Sequence, residues 1–304
     1  MTAAAVQGTR QETLRRVNWL VAGPPLAYLL VFFAVPMLIM ILASFRNPGD
    51  FGGLAALVLE DDAGTHLNLS VESYTRLLTD FLYTRLFLKS LGYAALATLI
   101  CLAMGYPLAV LIARSEKRYR DALVLLVILP FWSNFLIRIY AWMLLLGPQS
   151  ALSQALNSVL AVAGVEPVSL LYTPFAVVIA LVYVHLPFMV LPLYANLEKH
   201  DPALLDAAQD LGANAWQRFW QVTFPLSLPG VYAGAALVFI PALGIFAIPD
   251  LLGGTQGIMI GNVIKQQFLD TRDWPFGSAL SLVLTVAAIG VAGLAAVFGR
   301  RVRA

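Results

Sequence analysis

Hydrophobic residues in this chain come in six long blocks rather than in short alternating runs. The blocks lie near Trp19–Ser44, Leu86–Ala113, Ala122–Leu146, Tyr172–Leu197, Gly230–Leu252 and Phe276–Gly299. Each can cross a hydrocarbon core of about 30 Å, which takes roughly 20 helical residues. Helix is the expected form, because lipid offers no hydrogen-bond partner to open backbone groups. The pattern predicts an all-α membrane protein with six transmembrane helices over 19–299, between polar tails at 1–18 and 300–304. The first block is too long for a removed signal peptide and lacks a small-residue cleavage site, so it is expected to be retained.

Composition agrees. The chain is 60% hydrophobic and 12% charged, with mean hydropathy +0.80, against roughly 25% charged in ordinary soluble domains. Basic residues orient the helices. With the N-terminus in the cytoplasm, that side holds Arg10, Arg15, Arg16, Arg114, Lys117, Arg118, Arg120, Lys199, Arg218, Arg300, Arg301 and Arg303, twelve of the 19. Both termini are therefore expected in the cytoplasm. The net charge of +2 reflects topology and implies no nucleic-acid partner. Cys101 stands alone, which excludes an intrachain disulfide, and reads as a small buried residue.

The segments between blocks differ in character. The outer loop from about Phe45 to Tyr83 is the longest and carries Asp50, Glu60, Asp61, Asp62, Glu72 and Asp80; its end, Ser70–Leu82, reads as a short amphipathic helix. Its acids suit either attraction of a cation or a partner, or a simple solvated loop. Outer segments near Gly147–Leu171 and Gly253–Pro275 are rich in turn residues. No repeat of 20–50 residues is visible. Prolines recur within the blocks, among them Pro36, Pro107, Pro130, Pro187, Pro192, Pro241 and Pro249; such kinks mark either hinges and cavity walls or ordinary packing.

The segment 198–229 stands apart. Asp201-Pro202 is a helix start, an acid that caps free amides before a proline suited to the first helical position. Leu204, Ala207, Ala208 and Leu211 then fall on one helical face, with Asp206 on another. Gly212 suits a left-handed helix end, and a second short helix is expected from about Asn214 to Thr223, stopping before Pro225. Two short helices meeting at Gly212 make a compact knob. A Leu stripe of this kind also suits a helix lying on lipid, but the acidic polar face argues against an anionic leaflet. The chain has no Gly-x4-Gly-Lys-[Ser/Thr] phosphate loop, so it is not expected to hydrolyse ATP, and no cofactor or metal is expected on it.

Asp206-Ala207-Ala208-x3-Gly212-x9-Val222-x-Phe224-Pro225 resembles the Glu-Ala-Ala-x3-Gly-x9-Ile-x-Leu-Pro loop of ATP-binding-cassette (ABC) importer permeases; the spacing matches, and Asp206, Val222 and Phe224 are conservative departures. Leu129-Pro130-Phe131-Trp132, Leu136–Trp142, Val182–Tyr194, Pro249–Gly254, Ile260–Ile264 and Arg272–Pro275 further resemble the polyamine (spermidine/putrescine) branch, as the first of its two permease subunits. The likeness covers essentially residues 70–299. It implies a type I permease fold and a bacterial inner-membrane location. It also implies a second homologous permease, two copies of a cytoplasmic ATPase, and a periplasmic or lipid-anchored solute-binding protein. The knob would seat in the ATPase and carry its movement into the membrane helices. Relatives carry other small cationic or zwitterionic organic solutes, which keeps that alternative open.

Asp250 is the one acid inside the six blocks as drawn, and an intramembrane acid is a functional candidate by default. Its alternative is an acid that snorkels to the outer interface or pairs with a neighbouring Arg. Tyr140, Trp142, Tyr183 and Phe246 are aromatics that suit the same cavity, where a cation over a ring gains roughly 0.5–2 kcal/mol; for each alone, core packing or an interfacial belt is the better account. Arg138 would repel a cationic cargo, so an ion pair or carbonyl contacts at a helix break suit it better. His185 reads as a packed, hydrogen-bonded residue. The rival classes are a self-sufficient secondary transporter, which leaves the capped knob unexplained, and a scaffold without transport, for which Asp250→Asn would change no solute flux.

Overall fold

The computed structural model describes residues 21–61 and 64–301. The tail 1–18, the start of the first block at Trp19, Asp62 and residues 302–304 with Arg303 lie outside the described residues. Among those described, the helices are α1 (Val21–Ser44), α2 (Glu72–Thr79), α3 (Phe81–Arg114), α4 (Lys117–Ile128), α5 (Phe135–Leu146), α6 (Ala151–Val162), α7 (Pro174–Leu197), α8 (Ala203–Asp210), α9 (Ala215–Arg218), α10 (Phe224–Gly244), α11 (Ala247–Leu252), α12 (Ile260–Leu269) and α13 (Trp274–Arg301). Six helical stretches are long and apolar enough to cross a membrane, as expected: α1, α3, Phe135–Val162, α7, Ala215–Gly244 and Trp274–Ala295.

The described residues fall into two compact units. One comprises those up to Arg76 with Gln267–Leu282; the other comprises Leu77–Gln266 with those from Val283 onward. In the second, α3, α7 and α10 pack together as the core. Close approach depends on missing side chains: a Cβ at Gly234 would lie 2.8 Å from Met189 Sδ, and one at Gly230 would lie 2.8 Å from Asn196 Cβ. Small residues four apart on a helix are a common device for bringing membrane helices together. Ala94, Ala97, Cys101 and Ala109 of α3 and Leu181, Met189 and Leu193 of α7 are fully buried in this core, and Cys101 is the small packed residue expected.

The first unit turns the long loop into a built structure. An antiparallel hairpin pairs β1 (Val58–Asp61) with β2 (Gly64–Leu67), the one departure from an all-α chain among the described residues. Asn47 Nδ2 donates to Asn68 Oδ1 at 2.6 Å, and Ser44 Oγ and Tyr74 OH share a hydrogen bond of 2.8 Å. Arg76 pairs with Asp273 at 3.1 Å and stacks 4.3 Å over the Phe276 ring. The expected helix at Ser70–Leu82 is present as α2, after which Asp80 caps α3 by accepting from Leu82 N at 2.9 Å.

Five boundaries differ from expectation. The block Ala122–Leu146 is not one helix: α4 tightens into a 3-10 turn at Leu129–Trp132, and α5 starts afresh at Phe135, capped by Asn134 accepting from Leu136 N at 2.8 Å. The presumed loop 147–171 contains α6, capped by Ser150, and 253–275 contains α12. The block Gly230–Leu252 breaks at Ile245, where the backbone becomes extended (ψ 135°), so Asp250 lies on the separate helix α11. Finally, α9 does not stop before Pro225. It passes through a π-helical turn, Phe219–Thr223, straight into α10. The wide turn opens the ring of hydrogen bonds just where proline lacks its N–H, so the helix continues.

Candidate functional site

The knob folds on local signals. Asp201 Oδ1 accepts from Ala203 N at 3.0 Å and starts α8. Gly212 ends the helix with φ +83°, Ala213 N returning to Ala208 O at 3.0 Å in the six-to-one bond of a left-handed cap. Asn214 and Gln217 then exchange side-chain-to-backbone bonds of 2.9 Å in a capping box. Arg218 Nη1 donates to Gln209 Oε1 at 2.6 Å and ties α9 back to α8.

With its backbone satisfied internally, the knob leaves its apolar residues outward. Leu211 is 89% exposed and Trp216 70%; Leu204 and Trp220 are also exposed. Of the motif residues, Asp206, Ala207 and Gly212 are exposed, while Ala208, Val222, Phe224 and Pro225 are half-buried. Phe224 packs with Phe219 and Trp220 in an aromatic cluster, at centroid distances of 6.1 and 5.0 Å. Asp206 and Val222 line a cavity of about 590 Å³ with Arg114, Arg120, Glu198 and Arg218. In it Arg120 Nη1 pairs with Glu198 Oε1 at 2.8 Å. Hydrogen bonds from the Tyr194 hydroxyl first, and Arg120 second, hold the Glu198 carboxyl below its ordinary value.

The acid of the fifth block sits in a tighter arrangement. Asp250 Oδ1 accepts from Asn262 Nδ2 at 2.9 Å, and its Oδ2 accepts from Lys265 Nζ. Asn262 also donates to the Phe246 carbonyl at 3.0 Å and accepts from Met259 N at 3.0 Å. Lys265 Nζ lies 5.8 Å from the centre of the Phe246 ring. A Cβ on Gly261 would stand 2.6 Å from the Gly244 carbonyl oxygen, so glycine lets α12 approach the break. Asp250 and Phe246 thus share a site. Composition and hydropathy do not mark Asn262 and Lys265 for this role, although their spacing of three on one helix face is a usable signal.

The other aromatics go elsewhere. Trp142 and Tyr183 meet edge-to-face at 5.5 Å and line an apolar cavity of about 650 Å³ whose walls include neither Asp250, Phe246 nor Tyr140. Tyr140 is half exposed. The expectation of one shared cavity is therefore corrected: continuous hydrophobicity does not specify which side of its bundle an aromatic faces. His185 is buried, its Nδ1 donating to Leu181 O at 2.8 Å, as a packed histidine should.

Arg138 lies just after the break in the third block, where a polar contact was expected. It makes no ion pair among the described residues. Its guanidinium instead stands 5.5 and 5.9 Å from the ring centres of Phe131 and Phe135, and its buried Nε lacks a hydrogen-bond partner.

The family model described as "binding-protein-dependent transport system inner membrane component" matches residues 105–304. The spermidine/putrescine transport system permease protein PotB of Haemophilus influenzae is 43% identical over 264 residues, 86% of this chain and 86% of its own length. The permease protein of the same name in Escherichia coli is 44% identical over 261 residues, 85% of this chain and 89% of its own. Among solved structures, a chain of a bacterial ABC transporter that imports alginate matches with a TM-score of 0.72 at 20% identity, over 96% of this chain and 99% of that one. At that identity the likeness speaks to the fold, and the fold is that of an ABC importer permease.

Proposed function

The chain belongs to the binding-protein-dependent transport system inner membrane component family, and from that premise we propose that it passes the polyamines spermidine and putrescine into the cytoplasm. The reading rests on one observation above the others: 43–44% identity, across about 86% of the chain, to permease proteins named for spermidine and putrescine transport. It is the membrane subunit of an ATP-driven importer, working beside a second, homologous permease, two copies of a cytoplasmic ATPase and a periplasmic or lipid-anchored binding protein. Both termini and the 201–225 knob face the cytoplasm.

The exposed Leu204, Leu211, Trp216 and Trp220 on a rigid, self-capped knob support its role as the contact with the ATPase, since large exposed apolar patches mark interaction surfaces. Closure of the ATPase pushes the knob. The push is transmitted because the α9 helix is continuous with α10, the core helix against α3 and α7. The membrane helices reorient, and the solute passes an alternating-access pathway on which Asp250 and Phe246 supply a carboxylate and an aromatic face. Arg138 braces the break between α4 and α5 rather than touching the cargo. One observation favours a second reading, another small cationic or zwitterionic solute: the Asp250–Lys265 pair is charge-neutral and complements a zwitterion.

The test is uptake of labelled spermidine and putrescine into proteoliposomes holding this chain with its operon-encoded partners, beside an Asp250→Asn version. ATP-dependent, saturable uptake that drops about tenfold or more in the variant is expected, the factor carried by one charge-assisted contact of ~1.4 kcal/mol or more. Solute-stimulated ATPase activity with no polyamine uptake would overturn the substrate, and uptake without an associated ATPase would overturn the importer class.

A further inference from the structure

Asp250 is not presented as a bare carboxylate. Asn262 is 2% exposed, and its amide is fixed by three partners: Asp250 Oδ1, the Phe246 carbonyl and Met259 N. It clamps one carboxylate oxygen and leaves Oδ2 facing an ammonium. That ammonium is Lys265 Nζ, which sits on Oδ2 with the Phe246 ring 5.8 Å away. A carboxylate, an oriented amide and an aromatic face are the components of an alkylammonium site. Here the occupant is the chain's own butylammonium arm. The side chains of Lys265 and Asp250 are 31% and 34% exposed, so neither is sealed in, whereas Asn262 is buried.

We propose that Lys265 is a tethered stand-in for the cargo, holding the Asp250–Phe246 site while the permease is empty and giving way to a primary ammonium group of the solute. The proposal rests on the polyamine reading above. Exchange pairs Asp250 in both the empty and the loaded permease, so its partly buried charge is uncompensated only for a minor fraction of the time. It also sets a threshold for the ligand. A tethered group competes at an effective concentration on the order of millimolar, so a scarce solute wins only through contacts the lysine arm lacks. A second ammonium group on the same molecule supplies such contacts, and a monoamine does not.

The experiment is equilibrium binding of labelled spermidine and of butylamine to the purified complex of this chain with its partner subunits. Lys265→Met is expected to lower the apparent Kd for spermidine about tenfold, the factor expected if the carboxylate is free about a tenth of the time in the wild type. It is also expected to admit butylamine, and adding Asp250→Asn should abolish both gains. Lys265→Gln, which keeps a hydrogen bond to the carboxylate, carries the same test if the Met variant does not assemble. Binding no tighter than wild type in these variants overturns the exchange, as does failure of both to assemble, which would make the pair purely structural. Wild-type uptake of spermidine alongside such a result leaves the polyamine reading standing and removes only this proposal. A wild-type complex that takes up neither spermidine nor putrescine removes both.

Discussion

The knob and the α11–α12 cluster are built on opposite plans. In the knob, Asp201, Gly212, Asn214 and Gln217 satisfy the backbone from within, while Leu211 and Trp216 stay largely exposed. In the cluster, the charged side chains satisfy one another, and the buried Asn262 amide is held by three partners. A stiff backbone with unsatisfied apolar side chains requires a partner from outside. A closed ion pair requires nothing, and acts only by exchanging one member. The difference teaches that the presence of a functional group and its availability are separate properties. Sequence shows the first, and only packing shows the second.

The sharpest way to break the knob's half of this comparison is at Gly212. Its φ of +83° is closed to proline, whose ring fixes φ near −65° at a cost of about 3 kcal/mol or more. Gly212→Pro should therefore disorder the junction of α8 and α9. We expect ATPase subunit co-purified with the tagged permease to fall more than about tenfold, the factor that ~1.4 kcal/mol represents. No atom lies within 4 Å of a Cβ built there, so Gly212→Ala meets only the backbone penalty of about 1–2 kcal/mol and should lose less. Equal, full recovery of the ATPase in both variants would remove the knob as the contact.

The two regions were not equally legible beforehand. The knob is nearly all local: caps, a proline at the helix start and a glycine at its end act within a few residues, so spacing alone located them. The exception, the continuous helix past Pro225, depends on a π-helical turn that no spacing announces. The six spans were legible because lipid forces apolar helices. Their breaks were not, because hydrophobicity reports what lies in lipid and not whether the backbone is continuous. Nor is proline a sufficient mark: Pro130 sits in the 3-10 turn that breaks the third block, but Pro107, Pro187, Pro192 and Pro241 all lie inside unbroken helices. The fifth span breaks at Ile245, where Gly261 comes against the Gly244 and Ile245 carbonyls, a contact from 16 residues away in the chain. The same contact brings Asn262 and Lys265 to Asp250, which is why that cluster's partners came from the structure.

Arg138 sharpens the comparison from a third position, a cation that makes no ion pair among the described residues. Two rings near 5.5 and 5.9 Å contribute roughly 0.5–1 kcal/mol each, more where water is excluded. Arg138→Ala should lower the Tm of the assembled complex and impair assembly or uptake. Arg138→Lys, which keeps charge but not the planar face, should be partly tolerated. Wild-type assembly and uptake in the Ala variant would sink the bracing role. If Phe131→Leu and Phe135→Leu are silent while Arg138→Ala is severe, the rings are not the support, and an acid on the second permease takes their place.

The smallest expected effect lies beside the knob, at Glu198. Its carboxyl is held below the ordinary value of 4.5, by the Tyr194 hydroxyl first and Arg120 next. A depressed carboxyl stabilises the fold above its unfolded value, and that contribution is lost as pH falls through the lower, folded value. Glu198→Gln should therefore lower Tm slightly at neutral pH, with the gap to wild type closing as pH drops below 4.5. A gap that persists into acid would mean the carboxyl is not the titrating contact. The pair is open to solvent and screened, so the effect is small by construction. Arg120 differs from its partner: its Nη2 also donates to the Ala113 and Ser115 carbonyls at 3.0 and 3.3 Å, closing the end of α3. Arg120→Ala should thus lower Tm more than Glu198→Gln, and the excess should survive at low pH, because backbone carbonyls do not titrate.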